Sequence, residues 1–360
     1  MSLIQSLPEG PLDIVGDIHG ESDALYALLT HLGYDDDGNH PQRRTLVFVG
    51  DYVDRGPDSP AVVAQVRRLV ENGHAKAILG NHEINLLRED AKDGSGWFFD
   101  ERIARDNPKY SPFVRPDETT RRQIVDFLGT LPIALERADL RVVHAAWQEP
   151  QVQAVRCLPA GSVREQYDAW EREALRHGLE TGLDQRMAAE LQAWVHGLED
   201  ADHAPPFLQA HAEHESNRQM LNPLRVLTSG VEREGGLPFY SGGKWRFAQR
   251  VPWWDEYDHP TPVVVGHYWR RVNQIDRSLA GKRDEDLFGA LAPNVWHGRR
   301  CNVFCVDFSA GGRWVERKAG LTPGHDFKLA ALRWPERELM FDDGEVVGTV
   351  CENPDFSFTP

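Results

Sequence analysis

The chain has 360 residues, 41% of them hydrophobic and 27% charged, with a formal charge of −16. That much apolar material is ample for a buried core, in one catalytic unit with insertions or in two domains. The acidic balance argues against broad nucleic-acid binding, which normally uses a basic face. No basic amino-terminal segment leads into an apolar run, and no apolar run approaches the roughly 18 residues of a membrane span, so a cytoplasmic protein with no membrane partner is expected. The four cysteines, Cys157, Cys301, Cys305 and Cys351, form no Cys-x-x-Cys pair and are read as reduced, buried thiols.

In chain order, the run Leu12 to Val15 predicts a buried strand that ends in Gly16-Asp17-Ile18-His19-Gly20. Leu25, Leu28, Leu29 and Leu32 then recur at helical spacing, with Gly33 as a stop. Asp35-Asp36-Asp37-Gly38-Asn39 reads as a solvated turn, because the glutamate of a calcium loop is missing. Leu46 to Val49 predicts a second strand, ending in Gly50-Asp51-Tyr52-Val53-Asp54-Arg55-Gly56, and Pro60 opens a helix that Gly73 closes. Ala77 to Leu79 leads into Gly80-Asn81-His82-Glu83, and two later apolar runs end in His144 and in Gly266-His267. This strand–helix alternation predicts an α/β unit with parallel strands and right-handed crossovers. Its polar groups fall on loops at the strand ends, where ligands bind in such sheets.

The residue types suit divalent cations. Asp17 and His19, two apart in an extended loop, point the same way and grip one ion. Asp51 carries two oxygens and can bridge two ions, and Asn81 offers a neutral carbonyl to the second. Two divalent ions against two carboxylates leave roughly +2 locally, which attracts phosphate.

The ordered set GDIHG, GDYVDRG, GNHE, VVHA and VVGH resembles the calcineurin-like metallophosphoesterase superfamily, and specifically its phosphoprotein phosphatase branch, which includes bacterial serine/threonine phosphatases and diadenosine tetraphosphatases. The resemblance implies a metallophosphoesterase fold of two facing mixed β-sheets flanked by helices, in a single catalytic domain over 1–360 with a helical insert or lid near 160–220. It implies Asp17, His19 and Asp51 on one metal, with Asp51, Asn81, His144 and His267 on the other. It also implies His82 as general acid, Asp54 as the carboxylate that orients it, and Arg55 as a phosphate-binding arginine, with Arg225 as the candidate for a second. Two divalent ions are expected, manganese first, with iron, zinc or magnesium as alternatives. The expected reaction is direct attack on a phosphate ester by a metal-bridging hydroxide. The substrate is a phosphorylated small molecule, a nucleotide or a phosphoprotein: a phosphomonoester or phosphoserine/threonine in the leading reading, a dinucleoside polyphosphate in the second. A binding scaffold without catalysis is the third, disfavoured because every expected ligand is present.

The least family-like interval lies between His144 and His267. Val163 to His177 and Leu183 to Gly197 carry apolar residues among charged ones, as amphipathic helices do. His211 and His214 read as an exposed helix face, since nothing nearby completes a tetrahedral set. Trp245, Trp253, Trp254, Tyr257, Tyr268 and Trp269 crowd around His267. Core packing is the first reading for them, and a wall that stacks a base is the other.

Overall fold

The computed structural model describes residues 2–241, 243–273, 275–280, 285–289 and 291–353. Its strands are β1 (Ile4–Ser6), β2 (Leu12–Val15), β3 (Thr45–Phe48), β4 (Ala75–Ala77), β5 (Ala134–Arg137), β6 (Leu140–Val143), β7 (Glu232–Ser241), β8 (Lys244–Arg250), β9 (Val263–Val265), β10 (Val303–Cys305), β11 (Ala330–Trp334), β12 (Glu338–Phe341) and β13 (Val346–Gly348). One sheet has the order β1-β5-β6-β9-β10 and the other β13-β12-β11-β2-β3-β4. Both are mixed: β2, β3 and β4 run parallel, as do β6, β9 and β10, whereas β11 lies antiparallel to β2 and β5 to β6.

Leu12, Ile14, Val47 and Val49 of one sheet pack in a single buried cluster with Leu135, Val142, Val264 and Phe304 of the other. The sheets therefore face each other across a shared apolar layer. A second cluster covers their outer faces with helices, including Leu25 and Leu28 of Ser22–Leu32 and Val62, Val63 and Val66 of Ser59–Glu71. Strands coated on both sides read as unbroken apolar runs, which is why the predicted strands were legible. The expected stop at Gly33 is seen as a left-handed residue, φ 97°, whose N–H returns to the Leu29 and Thr30 carbonyls. The third strand ends at Ala77, earlier than expected, leaving Ile78 and Leu79 in the loop that enters Gly80.

In the insert, helices Val163–Glu180, Leu183–Ala193 and Gln209–Met220 are followed by the hairpin β7–β8, which periodicity did not reveal. His211 is buried and its Nδ1 meets Glu190 Oε2 at 2.9 Å, so the expectation of an exposed helix face fails for that residue. The cysteine expectation also fails: Cys301 and Cys351, 50 residues apart, form a disulfide, and Cys157 is exposed, which leaves Cys305 as the buried thiol. No helix among the described residues is long and apolar enough to cross a membrane.

Candidate metal centre

Asp17 and His19 follow β2, Asp51 and Asp54 follow β3, and Asn81 and His82 open the helix Asn81–Leu87 beyond β4; His144 follows β6 and His267 follows β9. Two sheets thus send their carboxyl-terminal loops to one place. Asp51 sits at its middle, with His144 Nε2 3.4 Å from Oδ1, and His19 Nε2 and His82 Nε2 at 3.7 and 3.9 Å from Oδ2.

The tautomers of the two flanking imidazoles are fixed. His19 Nδ1 donates to the Val53 carbonyl at 2.9 Å and His144 Nδ1 to the Val49 carbonyl at 2.8 Å. Each ring therefore turns its Nε2 toward a different oxygen of Asp51, with Arg55 also reaching His19 Nε2. Metal-ligating histidines are anchored through their second nitrogen in this way. Asp17 Oδ1 is a buried polar atom without a hydrogen-bond partner, as expected of a ligand atom. The Asn81 amide ends 2.9 Å from His267 Nδ1. Hydrogen bonding alone would place its nitrogen there, whereas a cation shared with His267 places its carbonyl oxygen there. The donor set of carboxylate, imidazole and amide oxygen fits two divalent ions.

Electrostatics agree. Burial, with the charges of Asp307 and Asp51, pushes Asp17 well above the usual carboxylate range. Burial also holds His19 well below the usual imidazole range, helped by Arg55, and a neutral ring is the form that ligates. For Asp51 burial works the other way, yet His144 and His82 keep its carboxylate well below the ordinary value.

Around this centre, His82 Nδ1 donates to Asp54 Oδ2 at 2.5 Å, and Trp97 Nε1 donates to Asp54 Oδ1 at 2.6 Å. The Asp54 carboxylate is thereby locked and the His82 ring oriented. Arg55 donates through Nη1 to His19 Nε2 at 2.8 Å and through Nη2 to His82 Nε2 at 3.0 Å, and its guanidinium lies 5.0 Å from the Trp269 ring centroid. The Arg55 guanidinium thus bridges the two imidazoles at the edge of the centre.

Three functional residues escaped the sequence reading. Trp97 fixes Asp54, and a lone Trp in a loop gave no signal. Glu83, already inside the third motif, accepts the N–H groups of Asp51, Tyr52 and Gly80 at 2.8, 2.8 and 2.9 Å, joining two ligand loops; burial and then Asp51 push its carboxyl up to about 7. Asp307, at the end of the β10 run, accepts the N–H of Trp269 and of Ser309, both at 2.8 Å. Its position after an apolar run was the same signal that found His144. Arg225 is engaged elsewhere than expected of a phosphate ligand: Nε and Nη2 donate to the two Glu171 oxygens at 2.6 and 3.0 Å, and its guanidinium stacks on Tyr167.

The loops are under strain. His19, Asp51, Asp54, Arg55, His267 and Trp269 all have positive φ, between 49° and 74°, each at a cost of about 1 to 3 kcal/mol that the surrounding hydrogen bonds must offset. Close approach adds a second constraint, because a Cβ on Gly266 would lie 2.1 Å from Asp17 Oδ1. Gly266→Ala is therefore expected to displace Asp17 and lower metal affinity by about 10- to 100-fold, the range for disturbed ligand support. Equilibrium dialysis against manganese tests this; unchanged affinity would mean that Asp17 does not hold an ion.

The model of the calcineurin-like phosphoesterase family matches residues 10–181, the span that carries Asp17, His19, Asp51, Asp54, Asn81, His82 and His144. Over that span the chain is similar to the metal-dependent phosphoester hydrolases of that family. Among curated relatives of this chain, the asymmetrical bis(5′-nucleosyl)-tetraphosphatase PrpE of Bacillus velezensis is 37% identical over 142 residues, 37% of this chain and 55% of that protein. The chain thus spans about half the length of that relative. The symmetrical bis(5′-nucleosyl)-tetraphosphatase of Ralstonia nicotianae is 28% identical over 298 residues, 80% of this chain and 87% of that one. Among solved structures, a cold-active protein-tyrosine phosphatase of a psychrophilic Shewanella species aligns over 95% of this chain and 82% of that one, with 16% identity and a TM-score of 0.45.

Proposed function

We propose that this phosphoesterase hydrolyses dinucleoside polyphosphates, with a bis(5′-nucleosyl) tetraphosphate as substrate, cleaved symmetrically into two nucleoside diphosphates. The observation that carries the phosphohydrolase reading is the pair of anchored imidazoles, His19 and His144, aimed at opposite oxygens of the buried Asp51. The substrate class draws on the relatives. Sequence alone ranked phosphomonoesters and phosphoproteins first, and the tetraphosphatases among the relatives favour the second reading instead. Symmetrical cleavage is chosen because the match to the symmetrical enzyme extends over 80% of the chain, well beyond the amino-terminal motifs.

In this reading Asp17, His19, Asp51, Asn81, His144 and His267 hold two divalent ions, which when bound neutralise phosphate charge and lower the pKa of water. Arg55 leaves the imidazoles and takes two equatorial phosphate oxygens, a bidentate contact that its planar fork allows. His82, held by Asp54, presents Nε2 to the departing phosphate oxygen and gives it a proton. Asp54 keeps the ring in place through that transfer, and Trp97 keeps Asp54 in place.

The aromatic cluster divides on burial. Trp253, Trp254, Tyr257 and Tyr268 are buried in the core, whereas Trp269 is half-exposed beside Arg55. Trp269 is the base-stacking candidate in this reading. Stacking is worth about 1 to 3 kcal/mol per base, so Trp269→Leu should raise KM for diadenosine tetraphosphate by roughly tenfold or more and hardly affect a small aryl phosphate. Equal KM on the dinucleotide would remove Trp269 from the substrate wall. The function itself is tested by incubating the protein and manganese with diadenosine tetraphosphate, a phosphopeptide and an aryl phosphate, and resolving products by chromatography. Two ADP per substrate are expected. AMP with ATP would instead indicate asymmetrical cleavage, and hydrolysis of the monoesters with the dinucleotide left intact would overturn the proposal.

A further inference from the structure

A cavity of about 520 Å³ lies in the insert, lined by the helix Gln209–Met220 and by the hairpin β7–β8. Sequence spacing explains its chemistry. On β8 the alternate residues Lys244, Arg246, Ala248 and Arg250 line it, the face opposite the Phe247 side chain that is buried against Leu208 and Ala212. On the helix, His211, His214, Glu215 and Arg218 line it at positions i, i+3, i+4 and i+7, a single stripe. Arg225 completes the wall.

Five cationic side chains thus line the cavity against two carboxylates, Glu215 and Glu232, in a chain whose formal charge is −16. Those two carboxylates offset only part of that charge. Glu215 Oε2 is occupied by the N–H groups of Phe247 and Ala248, and its Oε1 lies 3.9 Å from Lys244 and 3.7 Å from Arg246, too far for a hydrogen bond to either. Arg218 and Arg225 share one further carboxylate, Glu171, behind the wall. Burial and then the neighbouring Arg246 hold the Lys244 ammonium below its usual value, so these cations repel one another at a cost in stability. Gathering them in one concave place is unfavourable for folding and favourable for holding an anion.

We propose that this cavity is a second anion site, separate from the metal centre, for a phosphate-rich ligand: a nucleoside polyphosphate or an inorganic polyphosphate. Its volume falls within the range of small-ligand pockets, about 300 to 1,000 Å³. Five cations, three of them on β8, suit several linked phosphates better than a single carboxylate. The site stands back to back with the metal centre. Ser229 lines the cavity, and the carbonyl of the preceding Thr228 is 3.2 Å from the Asn81 amide. Tyr268 fills the space beside Gly230, its hydroxyl 2.5 Å from where a Cβ would stand, and its ring meets His267 edge-on at 5.2 Å. Tyr268 therefore packs between Gly230, which follows the cavity-lining Ser229, and His267. The proposal does not depend on which phosphoester the metal centre cleaves.

The test is calorimetric. Metal-loaded protein, its metal centre blocked with excess orthovanadate, is titrated with inorganic tripolyphosphate and, separately, with the β,γ-methylene analogue of ATP. One equivalent per chain is expected, weakening as salt is raised. Tighter binding of the analogue identifies a nucleotide site, and equal binding a site that reads phosphate alone. Lys244→Gln with Arg246→Gln, two partly exposed side chains whose replacement keeps polarity, should weaken binding by about tenfold or more with a melting transition that does not fall. Glu215→Gln, which keeps the acceptor for Phe247 and Ala248 and removes the competing charge, should tighten it several-fold. A purely structural role for these side chains predicts no such gain. Absence of binding to the vanadate-blocked protein, or binding unaltered in both variants, overturns the proposal.

Discussion

Replacing Asp51 by Asn is expected to strip the centre of at least one of about two transition-metal ions per chain and to lower phosphoester hydrolysis by roughly 10³-fold or more. The two oxygens of this carboxylate face different imidazoles, Oδ1 toward His144 and Oδ2 toward His19 and His82. An amide keeps one oxygen and turns an N–H donor toward the other ion, which a cation repels. Lewis-acid stabilisation by a bound ion is worth several kcal/mol, and about 4 kcal/mol corresponds to a thousandfold. Elemental analysis of wild-type and variant protein reads the metal content directly and also reports whether manganese, iron or zinc is present. Retention of two ions and full activity in Asp51→Asn would dismiss the bridging role.

His82→Ala is expected to lower turnover by roughly 10² to 10⁴ on a substrate with a poor leaving group, the range for a lost general acid. On nitrophenyl phosphate the loss should be far smaller, because nitrophenolate departs without a proton. The geometry separates this role from ligation: His82 Nδ1 is committed to Asp54, and Nε2 reaches Arg55 at the open side of the centre. Measuring kcat for both substrates, with metal content checked in the variant, distinguishes the roles. Equal losses on both substrates would make His82 a positioning residue for Asp51 or Arg55 instead.

The chain's own sequence determined the candidate ligand set and the way it is presented. Each ligand follows a short apolar run by one to a few residues, and glycine marks the turn, so the coupling between residue type and position is local. A strand buried on both faces is mostly apolar, with Asp13 of β2 admitted because Arg44 and Tyr34 bond it, and the polar residues that follow fall at the sheet edge. That is why Asp17, Asp51, His144 and His267 were readable one by one, and the same rule would have found Asp307, which the sequence reading passed over.

Tertiary structure decided what depends on neighbours distant in sequence. Trp253, Trp254 and Trp269 are alike as residues. Only packing buries the first two and leaves the third half-exposed beside Arg55. Cys301 and Cys351 are separated by 50 residues and meet because the chain beyond β13 returns past His297 and Arg299, where Val350 and Asn353 bond to Trp296 and Arg299. Arg225 could have faced either the metal centre or the insert, and Glu171, 54 residues earlier on a neighbouring helix, draws it to the insert. The basic cavity needed both causes. Alternation along β8 and helical spacing in Gln209–Met220 set which charges share a face, but only the packing of that hairpin against that helix turns two ordinary charged faces inward upon one space.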